Sequence, residues 1–425
     1  MSALSAGASA RPAREPSFVE FIVLIAFMMA LGSMSIDNLL PAFGYIQQDF
    51  QLASANEVQL ILTVYMAGFA FMQLFYGPVS DIVGRKPTLT IGLVIFSIGS
   101  VIALFAPNFE TLLVARLIQG MGAAATRILS VAIVRDRYEG REMARVMSFT
   151  MMIFIIVPVF APAIGSLFLL FGSWHAIFLS MLVMAVVLAI WFRQRMPETL
   201  HPEYRMPFSF ARIAAGAKRC AQQRVTLGYS TAIGLMFGGL MAYIGSSQQI
   251  FETEVYALGH LFPLVFGMIA AVMGLASFIN VRLVRRLGMR RISHAGVCGH
   301  VLTSLVMVGV AYGFDGKPPL ILFAVILAVC QFLFSLTMPN FNTMAMEPLG
   351  DIAGTASSMI GFYTTILGTL VGMVIGQAFD GTVMPLSIGY LATGVLSLGI
   401  IYWTERGRLF APHSPDPVAA KTSHS

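Results

Sequence analysis

The residues Gly77-Pro78-Val79-Ser80-Asp81-Ile82-Val83-Gly84-Arg85-Lys86 make a short charged turn between two long apolar runs. Two glycines, a proline, an acid and two bases are costly in hydrocarbon, where no water satisfies polar groups. The stretch therefore predicts a tight loop at a membrane face, with one helix entering it and another leaving. Outward from it, the chain repeats the same alternation of apolar run and polar turn.

The 425 residues are 57% hydrophobic and only 11% charged, with a mean hydropathy of +0.81. A soluble domain is about 25% charged. The apolar runs come in pieces of about 20 residues, the length that crosses a bilayer core of about 30 Å. A β-barrel would need alternating segments of about 10 residues. The fold class predicted is thus an all-α polytopic membrane protein with twelve transmembrane helices. Their spans are 18–41, 56–79, 87–106, 110–134, 143–170, 174–193, 225–248, 260–284, 293–313, 319–340, 353–378 and 385–403.

Charge placement gives the orientation. All of the 26 Lys and Arg except Arg116, Arg127 and Lys317 fall in the tails or in the loops after even-numbered spans and the span ends that border them. Asp49, Glu57, Glu110, Glu252, Glu254, Asp315 and Asp380 take the opposite side. By the positive-inside rule both termini are expected in the cytoplasm, at a bacterial inner membrane. The net charge of +6 then reports topology, and no nucleic-acid partner is expected.

The predicted organisation is a flexible tail 1–17, a six-helix bundle 18–193, a linker 194–224 with Pro197, Pro202 and Pro207, a second bundle 225–403, and a tail 404–425. The first span is too long for a signal-peptide core and is expected to be kept. Around Asn280-Val281-Arg282 and Gly288-Met289-Arg290-Arg291 the second half carries a degraded copy of the opening turn. Matching loops point to duplicated halves of the kind that rock about a midplane site. Cys220, Cys298 and Cys330 are too scattered for a disulfide framework or zinc site. With no nucleotide-binding loop and no metal-spaced cluster, neither enzyme activity, metal nor cofactor is expected. A single chain, in lipid, is expected to suffice.

Asp37 is the one acid well inside a span. At membrane depth it reads as a cavity residue that takes and releases protons, or as an interfacial acid one turn from water before Pro41. Arg116 and Arg127 lie 11 residues apart in the fourth span, on nearly one face and about 16 Å apart along the axis. Gln119, Gly120 and Ala123 share that face. Asp37 and Arg116 reach similar depths, so a pair between them is sterically allowed and would hold the acid deprotonated. The alternative for Arg116 is a structural role on backbone carbonyls, and Arg127 is open to either. Tyr229, Tyr243, Ser246 and Gln248 in the seventh span, and Gln331, Asn340 and Asn342 in the tenth, are candidate cavity-lining residues. The 33 Phe and 27 Met would give a cavity adaptable walls. Pro158 and Pro162, with small Ala161, Ala163 and Gly165, predict a bent, closely packed fifth helix. Gly361, Gly368, Gly372 and Gly376 predict a small-residue packing face on the eleventh.

The 77–86 turn is also the loop signature of the major facilitator superfamily, which the chain resembles. With Asp37–Pro41, the 116–124 run, Arg135-Asp136, the 158–165 segment, Glu347 and the 353–358 run, it looks like a drug:proton antiporter of the bicyclomycin-resistance (Bcr/CflA) branch. The resemblance implies two pseudo-symmetric six-helix bundles. It assigns proton coupling to Asp37 and Arg116 and a conformational charge network to Asp81, Arg85 and Asp136. That network would stabilise the outward-open state, with Asp81 facing the start of the eleventh helix and the run around Asp136 joining on cytoplasmic closure. Pro158, Pro162 and Gly165 would form the antiporter motif. The chain departs from the pattern at Ile36, Asn38, Leu39, Ser166 and His175, and at Arg127, an extra charge. Met29 stands where relatives of broad range carry a second acid, so cationic-drug recognition of that kind is not expected. The function implied is proton-driven efflux of small amphipathic molecules or drugs by alternating access. A dedicated exporter of one metabolite or siderophore, an importer or uniporter, and a non-transporting sensor remain alternatives. Asp37→Asn and Arg116→Ala are both expected to lower export with little loss of protein from the membrane.

Overall fold

The computed structural model describes residues 16–200, 203 and 210–410. The expectations for the N-terminal tail to residue 15, for Pro202 and Pro207, and for the C-terminal tail from residue 411 lie outside the described residues. Among those described, twelve helices have 20 residues or more. They are α1 Phe18–Asp37, α2 Leu60–Val83, α3 Arg85–Leu104, α4 Phe109–Arg137, α5 Gly140–Leu169 and α6 His175–Arg195, then α7 Arg224–Ser247, α8 Phe262–Leu287, α9 Met289–Gly313, α10 Leu320–Met346, α11 Ala353–Gln377 and α12 Met384–Thr404. Ten stretches are long and apolar enough to cross a bilayer outright; one of them, Leu320–Gln377, holds both α10 and α11, and α5 contributes the apolar Ile156–Leu169. Ile91, Val94 and Ile98 on α3 and Leu302, Leu305 and Val306 on α9 are exposed, as side chains facing lipid are.

The opening turn is narrower than expected. α2 runs on through Gly77, Pro78 and Asp81 to Val83, and α3 begins at Arg85. Helix persists because a membrane segment must satisfy its backbone internally, and Asp81 and Arg85 pair across the junction at 2.5 Å. Gly84 alone makes the corner. Its φ is +114°, and a Cβ there would lie 2.5 Å from Glu198 Oε2, so only glycine fits.

Helix pairing repeats with a shift of six. α1 packs on α4, α5 and α6; α2 and α3 pack on α4; α3 packs on α6. Correspondingly α7 packs on α10, α11 and α12; α8 and α9 pack on α10; α9 packs on α12. The halves meet where α2 crosses α11 and α5 crosses α8. Glycines allow the closest approaches: Gly368 and Gly372 of α11 sit on α7, and Gly267 of α8 sits on the Val159 carbonyl of α5. This packing role is the one expected of the α11 glycines.

The apolar core runs continuously between the halves only on the side away from the chain ends. On the side of the chain ends, here the terminal face, the second half has its own core around Tyr229, Met236, Phe341 and Met344. The halves therefore part toward the terminal face. A linker helix, Phe210–Gln222, lies there against α11, with Arg219 2.5 Å from Asp351. Cys220 packs on Leu349 and Ala356, and burial pushes its thiol up, as suits a packing residue.

Candidate functional site: a chamber between the halves

The gap between the halves is a chamber of about 2530 Å³. Its upper walls include Met29, Met66, Phe69, Phe237, Met241 and Phe266, the Phe and Met surface the composition predicts. Its mouth on the terminal face is lined by Arg135, Arg145, Arg219, Arg282, Arg285 and Asp351. On the far face the halves are latched by amides. Asn56 Nδ2 donates to the carbonyls of Gln377 and Phe379 at 3.1 and 2.8 Å, and Gln377 Nε2 returns a bond to the Asn56 carbonyl at 2.7 Å. Gln249 Nε2 donates to Asn56 Oδ1 at 2.8 Å, and Gln59 Nε2 donates to Gln249 Oε1 at 2.5 Å. The chamber is open to one face and shut to the other.

Asp37, the last residue of α1, lines this chamber and is 5% exposed. The ion pair with Arg116 is not made. Arg116 is 1% exposed and does not line the chamber. Its Nη2 donates to the Ser35 carbonyl at 2.9 Å, its Nη1 to Gln119 Oε1 at 2.8 Å and its Nε to the Ile61 carbonyl at 3.4 Å. Its guanidinium carbon lies 4.3 Å from the Tyr65 ring centroid. The shared depth was right, since Arg116 reaches a residue two before Asp37. The direction was not: residues i and i+2 stand about 200° apart on a helix, so a cation on the Ser35 side lies away from the Asp37 carboxyl. Arg116 thus takes the structural alternative, anchoring the end of α1 to α4.

Gln119 completes that anchor by donating to Ser100 Oγ at 2.7 Å, and it does not line the chamber either. Arg127 does line it and is exposed to it. One face of α4 can hold both a buried and an exposed arginine because its first turns pack among α1, α2 and α6 of the same half while its later turns face the chamber. Of the remaining candidates, Tyr243 lines the chamber and stacks on Phe266 at 5.6 Å, and Asn342 lines it as well. Four others do not. Tyr229 is held by Glu405 at 2.6 Å and His294 at 3.1 Å inside the second half. Gln248 is buried in the π-helical turn that extends α7 to the far face. Gln331 is buried at 1% exposure. Asn340 is buried against Asn280, which itself lines the chamber, at 2.9 Å.

The charge network is complete on the open side. Arg85 bonds Asp81 and Asp136, the latter at 2.8 Å, while the chamber is open to that face, so Asp136 does not wait for closure to join. Sequence reasoning missed Glu198, which accepts from the backbone N–H of Arg85 at 2.8 Å and of Lys86 at 3.1 Å. It also missed the amide latch. Glu198 had a signal, standing just after α6 as Glu405 stands just after α12. Pro158 and Pro162 lie within α5, and Pro158 lines the chamber. Gly165 of the same helix abuts α1: a Cβ there would lie 2.0 Å from the Asn38 carbonyl. No group of three or more His, Cys, Asp or Glu among the described residues is placed to hold a metal ion.

With this geometry in hand, comparison with known proteins gives the family. Residues 22–376 match the Major Facilitator Superfamily. The chain belongs to that superfamily. Its relatives within the superfamily include the uncharacterized MFS-type transporter YdgK of Bacillus subtilis (strain 168), 31% identical over 384 residues that cover 88% of this chain and 92% of the relative. The bicyclomycin resistance protein homolog of Haemophilus influenzae is 28% identical over 385 residues, covering 90% and 95%. Multidrug resistance protein D of Escherichia coli (strain K12) is 24% identical over 416 residues, covering 96% and 97%. Among solved structures, a D-xylose-proton symporter superposes with a TM-score of 0.74 over 94% of this chain and 100% of its own, at 15% identity. That likeness shows the major facilitator fold.

Proposed function

We propose that this multi-pass membrane protein is a proton-coupled exporter of small amphipathic molecules, drugs included. It works by alternating access in the bacterial inner membrane, with the terminal face in the cytoplasm. The observation that carries the reading is a buried carboxyl, Asp37, at the apolar upper wall of a chamber that is open to one side, where Asp81 and Asp351 line the mouth, and latched on the other. The names of the bicyclomycin-resistance and multidrug-resistance relatives support the choice of cargo.

A carboxylate tolerates a wet chamber and not a dry one, because removing its water costs far more than the charge recovers unaided. In the state described here the chamber is open to the cytoplasmic face, and Asp37 gives its proton to that side. A solute entering by the same mouth offers its own donors to Asp37 and fills the apolar walls. The chamber can then close around a compensated acid. For the far side to open, the amides of Asn56, Gln59, Gln249 and Gln377 part and the halves meet near α2 and α11, where Ser358 Oγ already lies 3.0 Å from a Cβ position at Gly77. Protonation from the far side replaces the solute and permits the return. No further cofactor is invoked. A gradient of roughly 3 pH-equivalents supplies about 4 kcal/mol per proton, enough for about a thousandfold solute ratio.

The test is a susceptibility panel in an efflux-deficient host. Wild type should raise tolerance to a subset of compounds, an uncoupler should remove the effect, and Asp37→Asn should behave as an empty vector at equal membrane abundance. Normal, uncoupler-sensitive export by Asp37→Asn would take the proton role away from Asp37. Tolerance to no compound would favour a dedicated metabolite exporter.

A further inference from the structure

Behind the upper wall of the chamber, inside the second half, four buried side chains carry polar atoms without partners. They are Tyr243 Oη on α7, His300 Nε2 on α9, both amide atoms of Gln331 on α10, and Tyr390 Oη on α12. None is more than 3% exposed. Orphaned polar atoms are rare in native interiors, and a cluster of them calls for bound water or an ion.

Glycines on two neighbouring helices let the rings of this cluster pack closely. His300 and Tyr390 stack with centroids 5.6 Å apart. A Cβ on Gly394 of α12 would lie 3.0 Å from His300 Cδ2, and one on Gly239 of α7 would lie 3.7 Å from the Tyr390 ring. Tyr243, one turn beyond Gly239, lines the chamber, while the other three side chains do not. A solute is therefore kept out by the wall.

The His300 ring faces the backbone carbonyls of Cys330 and Tyr390, and only the first is in hydrogen-bond geometry, so the tautomer follows from it. His300 Nδ1 lies 3.4 Å from the Cys330 carbonyl, which can only accept, so Nδ1 carries the hydrogen and Nε2 presents a lone pair. The titratable groups around the ring are Tyr390 from α12 and Cys330 from α10, whose thiol lies 3.7 Å from Ser304 Oγ of α9. Tyr243 stands on the α7 side, with Asp37 of α1 at the chamber wall beyond.

We infer that His300 is a second proton-binding site, seated in the second half and reached from the chamber through water held by Tyr243, Gln331 and Tyr390. A proton from chamber water adds to the Nε2 lone pair, the Nδ1–H stays on the Cys330 carbonyl, and loss of the proton reverses the step. Each half then owns one group whose charge answers to pH.

The test is magnetic resonance of isotope-labelled histidine in the whole protein in lipid nanodiscs, with no solute needed, so it stands or falls apart from the Asp37 experiment. The His300 signal is assigned by its loss in His300→Gln. Should that variant fail to assemble, the contact between Nδ1 and a labelled Cys330 carbonyl in wild type assigns it instead. The expected result is an Nδ1–H tautomer at about pH 8 that becomes imidazolium as the pH falls to about 5, the range over which histidine titrates. An Nε2–H tautomer at the upper pH, or a ring that stays neutral throughout, overturns the proposal.

Discussion

The two halves share one helix plan and differ in where they spend charge. At the terminal face both carry an arginine clamp. Arg85 at the start of α3 is held by Asp81 and by Asp136 at the end of α4. Arg290 near the start of α9 reaches Glu405 just beyond α12 at 3.1 Å and Glu347 just beyond α10 at 3.6 Å. At membrane depth the likeness ends. The first half buries Arg116 and turns Asp37 to the chamber, while the second holds Tyr243, Gln331, His300 and Tyr390. A clamp is constrained by the crossing of the helices it ties, which duplication preserves. A chamber wall is constrained by what it meets, and the two walls have diverged.

Substitutions can break or sharpen that contrast. The largest effect on stability belongs to the buried cation. Arg116→Ala takes the donor from the Ser35 carbonyl and the Gln119 amide oxygen and opens a void, a loss of about 4 kcal/mol. It should lower both the melting temperature and the amount of protein in the membrane, contrary to the reading of Arg116 as a partner of Asp37. Wild-type melting of this variant would restore that reading. Next come the clamps, compared by the same thermal assay. Arg85→Ala takes the cation from Asp136, which is 15% exposed, and from the wetter Asp81, and should cost about 2 kcal/mol. Arg290→Ala acts on longer, wetter contacts and should cost about 1 kcal/mol. Equal losses would mean that the clamps are energetically as well as topologically equivalent. The smallest effect is at the far latch. Asn56→Ala removes neutral hydrogen bonds and should shift the opening equilibrium by about 1 kcal/mol. Spin labels on the far ends of the two halves would report it as a new population at longer distance, and an unchanged distribution would place the latch elsewhere.

Much of the fold was legible because a membrane chain leaves few options. Twenty-residue apolar runs, basic loops on one side and a repeated turn fix the helix count and the two-bundle plan. The corner at Gly84 was read too broadly, since Gly77, Pro78 and Asp81 look like loop residues and yet lie in α2. Helix continuity in lipid outweighed their local preferences. At the site, periodicity placed Asp37 and Arg116 at one depth and could not tell a carbonyl from a carboxylate as the partner. Tyr229 and Gln248 were misplaced for a related reason. A polar residue in an apolar helix must find a partner, and sequence does not say whether that partner is solute, Glu405 or the far seal. The latch of Asn56, Gln59, Gln249 and Gln377 joins residues 190 and 321 positions apart, a distance no local pattern spans.

The end of α1 is gripped from two directions, by the Arg116 guanidinium on the Ser35 carbonyl and by the bare backbone of Gly165 against the Asn38 carbonyl. A carboxyl mounted between two such fixtures has little freedom to swing from one compartment to the other. In the exporter proposed above, the acid is then a fixed post, to which columns of water would advance and from which they would withdraw as the walls tilt.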